Sequence, residues 1–293
     1  MIGDIMSELD ANRGEAAQVL AAIGSRATSQ MHTENFPVAL RVVPRHPRGQ
    51  LARVYAFARF VDDVGDEAPG DRTALLDLVE QDLRVVMLGA SKLPPVAALR
   101  PVIDEHAVPL GLFEDLIEAN RVDQYLHRYA TFEDLLGYCR LSATPIGRIV
   151  LYIADGASAQ NVLDSDAVCA ALQVLEHCQD VGEDARAGRV YLPASDLSAN
   201  GVSEAELLAT QTSRAVRRVV HAQVDRALEM LESGPHLVRR LSGWARLAVS
   251  GYVAGGLVTA KALQSADYDV LARRIHPGKL ATALRAARLS VGG

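Results

Sequence analysis

Residues 55–67 read Tyr55-Ala56-Phe57-Ala58-Arg59-Phe60-Val61-Asp62-Asp63-Val64-Gly65-Asp66-Glu67, and residues 173–184 read Gln173-Val174-Leu175-Glu176-His177-Cys178-Gln179-Asp180-Val181-Gly182-Glu183-Asp184. Each is an apolar stretch interrupted by carboxylates. Asp62 and Asp66 are four residues apart, as are Asp180 and Asp184. Positions i and i+4 share a helix face, so each pair forms a two-carboxylate claw. Glu176 lies one turn before Asp180 and extends the second claw. Arg59, three residues before Asp62, lies close to the same face as the first. A single D-x-x-x-D is ordinary helix surface. Two copies inside apolar helices are different, because carboxylates there are costly to bury without a partner. Hard oxygens at this spacing suit Mg²⁺, which binds one or two protein carboxylates, several waters and a ligand phosphate. The spacing predicts two claws at a polar cavity, holding magnesium and through it an anionic ligand whose identity the spacing leaves open.

Outward from these motifs, helical periodicity recurs along the chain. One stripe from Thr131 to about Asp155 carries Phe132, Leu135, Leu136, Cys139, Ala143, Ile146, Val150 and Ile153. Thr131 with Asp134 forms a capping box at its start, and Ser203 with Glu206 opens another long helix reaching Glu232. A third stripe runs from His236 to Gln264, where Gly251 and Gly255 invite close approach of a neighbouring helix. Breaks are expected at Pro44–Pro47, Pro69–Asp71, Leu93–Pro95, Gly188–Pro193 and Ser233–Pro235. No alternating strand pattern, repeat or linker stands out. The expectation is an all-α, single-domain bundle over residues 1–293, with an N-terminal helix in 1–30 and a basic tail in 270–293.

Composition narrows the function classes. The 293 residues are 49% hydrophobic and 23% charged, with a formal net charge of −6, which argues against a nucleic-acid partner. Cys139, Cys169 and Cys178 show no CxxC spacing and read as reduced thiols. No run reaches the roughly 18 apolar residues of a spanning helix, so a cytoplasmic protein is expected. The tail sets Arg273, Arg274, Lys279, Arg285 and Arg288 among Leu271, Ile275, Leu280, Leu284 and Leu289. It reads as a solvated terminal helix, with peripheral contact to an anionic membrane face as the alternative.

These motifs resemble the squalene/phytoene synthase family, helical enzymes that join prenyl diphosphates head to head. Residues 55–66 are similar to its first aspartate-rich motif. Residues 179–184, followed by Gly188-Arg189-Val190-Tyr191-Leu192-Pro193, are similar to its second. Tyr138-Cys139, leading into Ala143 and Gly147, resembles the family helix whose tyrosine projects into the central cavity. The resemblance implies an isoprenoid-synthase bundle whose claws Asp62/Asp66 and Asp180/Asp184 face each other across an apolar cavity. It implies two or three Mg²⁺ ions held by Asp62, Asp66, Glu176, Asp180 and Asp184, with those aspartates and Tyr138 catalytic. It also implies that Asn35, Phe36, Tyr55, Arg59, Gln173, Gln179, Arg189 and Tyr191 bind substrate. Glu176 stands where the family usually has Asn, which alters the charge of the metal shell.

Residues Glu34–Ala39, Ser142–Gly147 and Gln179 resemble the bacterial hopanoid-cluster branch. That branch converts presqualene diphosphate and water to hydroxysqualene and diphosphate, without NADPH. The family usually carries Arg at position 179, so Gln179 there implies a larger or more hydrated cavity. A presqualene diphosphate synthase would be the natural partner. Within the same class, the alternative is condensation to presqualene diphosphate, squalene or phytoene. From another class, it is a non-catalytic helical module that binds prenyl lipid or a partner protein. A metal-dependent phosphohydrolase is disfavoured because no histidine pairs convincingly with a claw. His177 points about 100° from Glu176 around the helix and reads as structural.

Overall fold

In the computed structural model, the structure describes residues 16–26 and 43–291, and their contacts group into two compact units. Asn35, Phe36 and the rest of the Glu34–Ala39 segment lie outside the described residues.

Unit 1 contains α1 (16–26), α2 (Arg45–Glu67), α3 (Arg72–Arg84), a 3₁₀ turn (Val86–Leu88), α4 (Pro94–Ala97), α5 (Arg100–His106) and α6 (Gly111–Val122). The long α2 buries Leu51, Val54, Phe57, Phe60, Val61 and Val64, a stripe at helical spacing. That stripe packs on α3 and α6. Phe57 meets Phe113 of α6 edge-on, with ring centroids 5.5 Å apart. Asp71 caps α3 by accepting from the Ala74 amide at 3.0 Å.

Unit 2 contains α7 (Phe132–Ser142), α8 (Thr144–Ile153), α9 (Ala159–Gln179), α10 (Val181–Arg186), α11 (Ala194–Ala199), α12 (Glu204–Leu207), α13 (Arg214–Leu231), α14 (Ser233–Arg240), α15 (Gly243–Ser265) and α16 (Lys279–Val291). Helix α9 is the axis of this unit, because α7, α8, α13, α14 and α15 all pack on it. Its buried residues, among them Val168, Ala171, Val174, Leu175 and Cys178, lie on several sides, as burial from all round requires. Two glycines let the neighbours approach. A Cβ on Gly147 of α8 would collide with Cys169 Sγ and lie 2.5 Å from Ser165 Oγ, both on α9. A Cβ on Gly256 of α15 would lie 2.7 Å from Leu172 Cδ2.

Several expectations are corrected. The Thr131–Asp155 helix is two helices, α7 and α8, separated at Ala143. Pro145 in the first turn of α8 cannot continue the hydrogen-bond ladder, and its ring opposes the preceding carbonyls. The Ser203/Glu206 capping box is present but opens only the single turn α12; Ser213 then caps the separate α13. The His236–Gln264 stripe breaks where Ser242 is extended and Gly243 takes φ +53. The break expected at Ser233–Pro235 falls one residue earlier, at Glu232 between α13 and α14, and Ser233-Gly234-Pro235 forms the first turn of α14. The close approach expected at Gly255 occurs one residue on, at Gly256; nothing lies within 4 Å of a Cβ at Gly255. The tail is helical only from Lys279.

The Thr131/Asp134 capping box forms as expected, and no strand occurs among the described residues beyond one isolated bridge, Arg128 to Val190. No helix among them is long and apolar enough to cross a membrane. The three cysteines are free, and burial pushes their thiols up, Cys139 and Cys178 to about 12 and Cys169 to about 11. Helix α16 buries none of its residues, leaving Leu280, Leu284 and Val291 exposed.

The α8–α9 contact yields a stability test. Gly147→Val forces methyls into Cys169 and Ser165, and the expected cost is about 1–3 kcal/mol of overpacking. Urea unfolding followed by circular dichroism reads it; an unchanged midpoint would mean that α8 yields freely.

Candidate active site

The first acidic motif occupies the last turns of α2. Asp62 Oδ1 accepts a hydrogen bond from Asn120 Nδ2 of α6 at 3.0 Å, and the same amide reaches the Leu116 carbonyl at 3.2 Å. Gln124 Nε2 donates to the Gly65 carbonyl at 3.1 Å and to the Asn120 carbonyl at 2.8 Å. Gly65 permits this packing, because a Cβ there would collide with Asn120 Oδ1. Asp63 is buried and pairs with Arg59 Nε at 3.0 Å. Arg59 is therefore engaged by Asp63, the residue between the claw pair, as well as lying near Asp62. Asp66 and Tyr55 are exposed.

The electrostatics mark Asp62. Its side chain keeps accessible surface, yet desolvation pushes its pKa up to about 6. The Asn120 hydrogen bond and Arg59 oppose the rise, while the charges of Asp66 and Asp63 add to it. Desolvation also raises Asp63, against the pull of Arg59.

The second motif straddles a helix junction. Helix α9 ends at Gln179, Asp180 takes φ −103 and ψ 14, and α10 begins at Val181. The claw is thus spread over two helices, not one as its spacing suggested. Backbone bonding nevertheless continues through the junction. The Asp180 amide donates to the Glu176 carbonyl at 3.0 Å, and the Asp184 amide donates to the Asp180 carbonyl at 2.8 Å. Arg189 follows, its amide bonded to the Asp184 carbonyl at 2.8 Å.

Around this motif lies an aromatic cluster. His177 is buried and stacks on Tyr191 with ring centroids 3.7 Å apart, and its Nδ1 is 3.9 Å from Asp184 Oδ2. Gln173 Nε2 lies 3.2 Å from the other imidazole nitrogen. Tyr138 and Tyr129 complete the cluster, each 5.7 Å from the Tyr191 ring. Tyr138 is buried among these rings. His177, expected to be only structural, contacts a claw residue.

A second feature was not foreseen. Segment 267–278 runs back across the motif as a strap. Leu271 is anchored by its amide to Thr212 Oγ1 at 2.9 Å, and Val270 and Ile275 are buried. Gln179 Nε2 donates to the Ile275 carbonyl. Arg274 sets Nη2 3.6 Å from Asp180 Oδ1 and Nη1 3.4 Å from Glu183 Oε1. Gly182 makes room for the strap, since a Cβ there would lie 3.1 Å from Leu271 Cδ2. Arg274 therefore belongs to the site and not to an amphipathic tail.

Unit 2 also contains a half-open cavity of about 250 Å³. Ile146, Val150, Leu172 and Val249 give it apolar walls, while Ser142, Gln173, Glu176 and Tyr252 contribute polar groups. Glu176 thus joins the acidic motif to an apolar chamber. Its side chain keeps accessible surface, yet desolvation raises its pKa, reinforced by Asp180 and Asp184 and opposed by His177. Asp180 is raised by desolvation as well, against the pull of Arg274. In both motifs hard oxygen donors carry charge that their surroundings disfavour, and a divalent cation would relieve this. The donor sets fit Mg²⁺.

The sequence profile described as squalene/phytoene synthase matches residues 30–281. The chain belongs to this family. Relatives similar to it include a hydroxysqualene synthase of Sinorhizobium fredii, 36% identical over 74% of this chain and 75% of the relative. Another, from Rhodopseudomonas palustris, is 35% identical over 83% of each. The solved squalene synthase HpnC of Alicyclobacillus acidocaldarius superposes with a TM-score of 0.79 at 38% identity, covering 85% of this chain and 96% of that one. A dehydrosqualene synthase structure gives the same TM-score at 20% identity, a likeness of fold alone. The all-α architecture of this family member is thereby the isoprenoid-synthase fold.

Asp62 yields a pH test. A carboxylate at about 6 when folded and about 3.9 when unfolded binds its proton more tightly in the folded state. Its ionisation costs stability above pH 6, a cost that fades as pH falls towards the unfolded value. In metal-free buffer Asp62→Asn should melt above the parent at pH 7.5, and the gap should close as pH drops through 6 to 4. Excess Mg²⁺ should reverse the order. Identical melting curves at every pH would sink this account.

Proposed function

We propose that the protein converts presqualene diphosphate and water to hydroxysqualene and diphosphate, as a magnesium-dependent carbon–oxygen lyase. The observation that carries this reading is the similarity to hydroxysqualene synthases, 36% and 35% identical over most of both chains. Family members act on prenyl diphosphates, and each unit supplies one acidic motif suited to such a ligand. Asp62 and Asp66 in unit 1, and Glu176, Asp180 and Asp184 in unit 2, would hold the magnesium. When bound, magnesium supplies neutralisation of charge on the departing diphosphate.

The chain's own residues do the rest. Asn120 fixes the Asp62 carboxylate, and Asp63 fixes Arg59. Arg59, Arg189 and Arg274 offer guanidinium groups to the diphosphate oxygens. Diphosphate leaves with the electron pair of the carbon–oxygen bond, and the hydrocarbon cation is held by apolar walls such as Ile146, Val150, Leu172 and Val249. Gln173 and Ser142, which also line the cavity, can hold one water, whose oxygen bonds to the cation as its proton passes to the departed diphosphate. The buried Tyr138–Tyr191–His177 cluster backs Asp184 from behind the second motif. No reductant is needed. The solved neighbour's title names squalene synthase, so squalene formation, which needs hydride, stands as the second reading.

The test is turnover of presqualene diphosphate with Mg²⁺ in ¹⁸O-labelled water without NADPH, with mass spectrometry of the extract. Labelled hydroxysqualene is expected. Asp62→Asn and Asp180→Asn should abolish it, and Asn120→Ala should lower kcat/KM by about 10–100-fold, as loss of a ligand-orienting hydrogen bond does. Turnover only with NADPH, to unlabelled squalene, would shift the assignment to the second reading.

A further inference from the structure

Helix α2 carries the first acidic motif near its C-terminal end; near its start, in the opening turn, stands His46. Helix α5 ends on Glu105 and His106, stopped by Ala107 in the left-handed region at φ 49 and ψ 39. The packing of α2 on α5 brings these three side chains together. His46 Nε2 lies 2.6 Å from Glu105 Oε1, and His106 Nε2 lies 3.6 Å from the same oxygen. One donor atom from each residue falls within 4.8 Å of the other two. Asp62 lies sixteen residues along α2 from His46, roughly 24 Å at 1.5 Å per residue. The cluster is therefore separate from the acidic motifs.

Two further observations single it out. The His106 side chain is 10% exposed, and its Nε2 is a buried atom without a hydrogen-bond partner among the described residues. A buried imidazole nitrogen left unpaired is costly, and such groups are nearly always satisfied. The second concerns the carboxylate. Glu105 Oε2 accepts from Gln50 Nε2 at 2.6 Å; Gln50 is 1% exposed, and its own oxygen is held by Arg53 at 2.8 Å. A buried, braced amide thus aims the other carboxylate oxygen at the two imidazoles.

We propose that His46, Glu105 and His106 bind one borderline transition-metal ion of the Zn²⁺ class, which clips the start of α2 to the end of α5. Two imidazoles and one carboxylate suit Zn²⁺ and not Mg²⁺. Bonds of about 2.0–2.2 Å to a tetrahedral ion place donors roughly 3.4 Å apart. The His46–Glu105 contact must open by under about 1 Å to reach that geometry, and His46, 67% exposed, is free to turn. Entry of the ion replaces the His46–Glu105 hydrogen bond, its proton passing to solvent, and a water takes the fourth position. The negative end of the α5 dipole favours the cation.

The test uses chelator-treated full-length protein in excess Mg²⁺, which occupies the hard-oxygen sites, titrated with ZnCl₂ by calorimetry. One equivalent of Zn²⁺ should bind and raise the melting temperature. His46→Gln and Glu105→Gln, both exposed positions that leave packing intact, should weaken binding by more than about 100-fold, beyond the 10–100-fold typical of losing an orienting neighbour. Asp62→Asn should bind as the parent does. Substituted Co²⁺ should give visible d–d absorption that His46→Gln removes. No saturable binding in excess Mg²⁺, or binding that survives His46→Gln, overturns the proposal and leaves the cluster as a hydrogen-bonded clasp between helices.

Discussion

Charge carried into an apolar helical scaffold must be compensated, and the two acidic motifs are built around incomplete compensation. Elsewhere in the molecule some carboxylates are paired outright. Arg226 grips Asp196 and Arg128 grips Glu204, and hydrogen bonds from these guanidiniums hold both acids below the usual carboxylate range. At the motifs the balance runs the other way. Asp62, Asp63, Glu176 and Asp180 are all raised, with desolvation as the first cause, although Arg59, Asn120, His177 and Arg274 each pull down on at least one of them. Ion pairs with half-exposed partners contribute little, about 0–1 kcal/mol, so Arg274 at 3.4–3.6 Å tempers the charge without cancelling it. Perturbed acids gathered in this way mark a candidate functional site.

Holding that charge in place is the task of the packing. Asn120 reaches Asp62 only because Gly65 lacks a Cβ. The strap packs closely at Gly182, where a Cβ would lie 3.1 Å from Leu271 Cδ2. Helix α9 presents Glu176 to the cavity because α8 and α15 close on it at Gly147 and Gly256, leaving apolar walls of Ile146, Val150, Leu172 and Val249. At about 250 Å³ the chamber sits just under the size of ordinary ligand pockets, roughly 300–1,000 Å³. Glu176 sits where this apolar lining meets the acidic motif, and desolvation raises its carboxyl although the side chain keeps accessible surface.

Reading the sequence recovered what is local. Helical periodicity found the helices, and Thr131 with Asp134 forms its capping box as the spacing implies. Interruptions were harder, since Pro145 and Gly243 sit inside stripes whose apolar pattern continues undisturbed across the breaks. The claws were legible because backbone geometry alone brings i and i+4 together. Their partners were not. Asn120 is 58 residues from Asp62, and Arg274 approaches Asp180 only through a non-helical strap. The one available signal for Asn120 was a polar residue on the apolar face of α6. His177 does leave the face of Glu176 as a regular helix requires. The junction at Asp180 then lets Asp184 approach its imidazole, which no helical wheel contains.

Gln179 shows how much that strap changes the meaning of a residue. Judged by position alone, a neutral amide beside the second claw removes a positive charge and admits water. In the folded chain its Nε2 donates to the Ile275 carbonyl, one residue beyond Arg274. The amide therefore anchors the segment that returns a guanidinium to Asp180 and Glu183. Positive charge is relocated to the strap, where it ends a long, half-exposed side chain and does not occupy the wall beside the motif. An arginine at 179 would bring a second guanidinium to the same carboxylates and have to replace the amide's donor to Ile275 in a different geometry. The neutral residue and the guanidinium on the strap are thus two parts of one arrangement, and the polarity of this corner is set by residues 179 and 274 together.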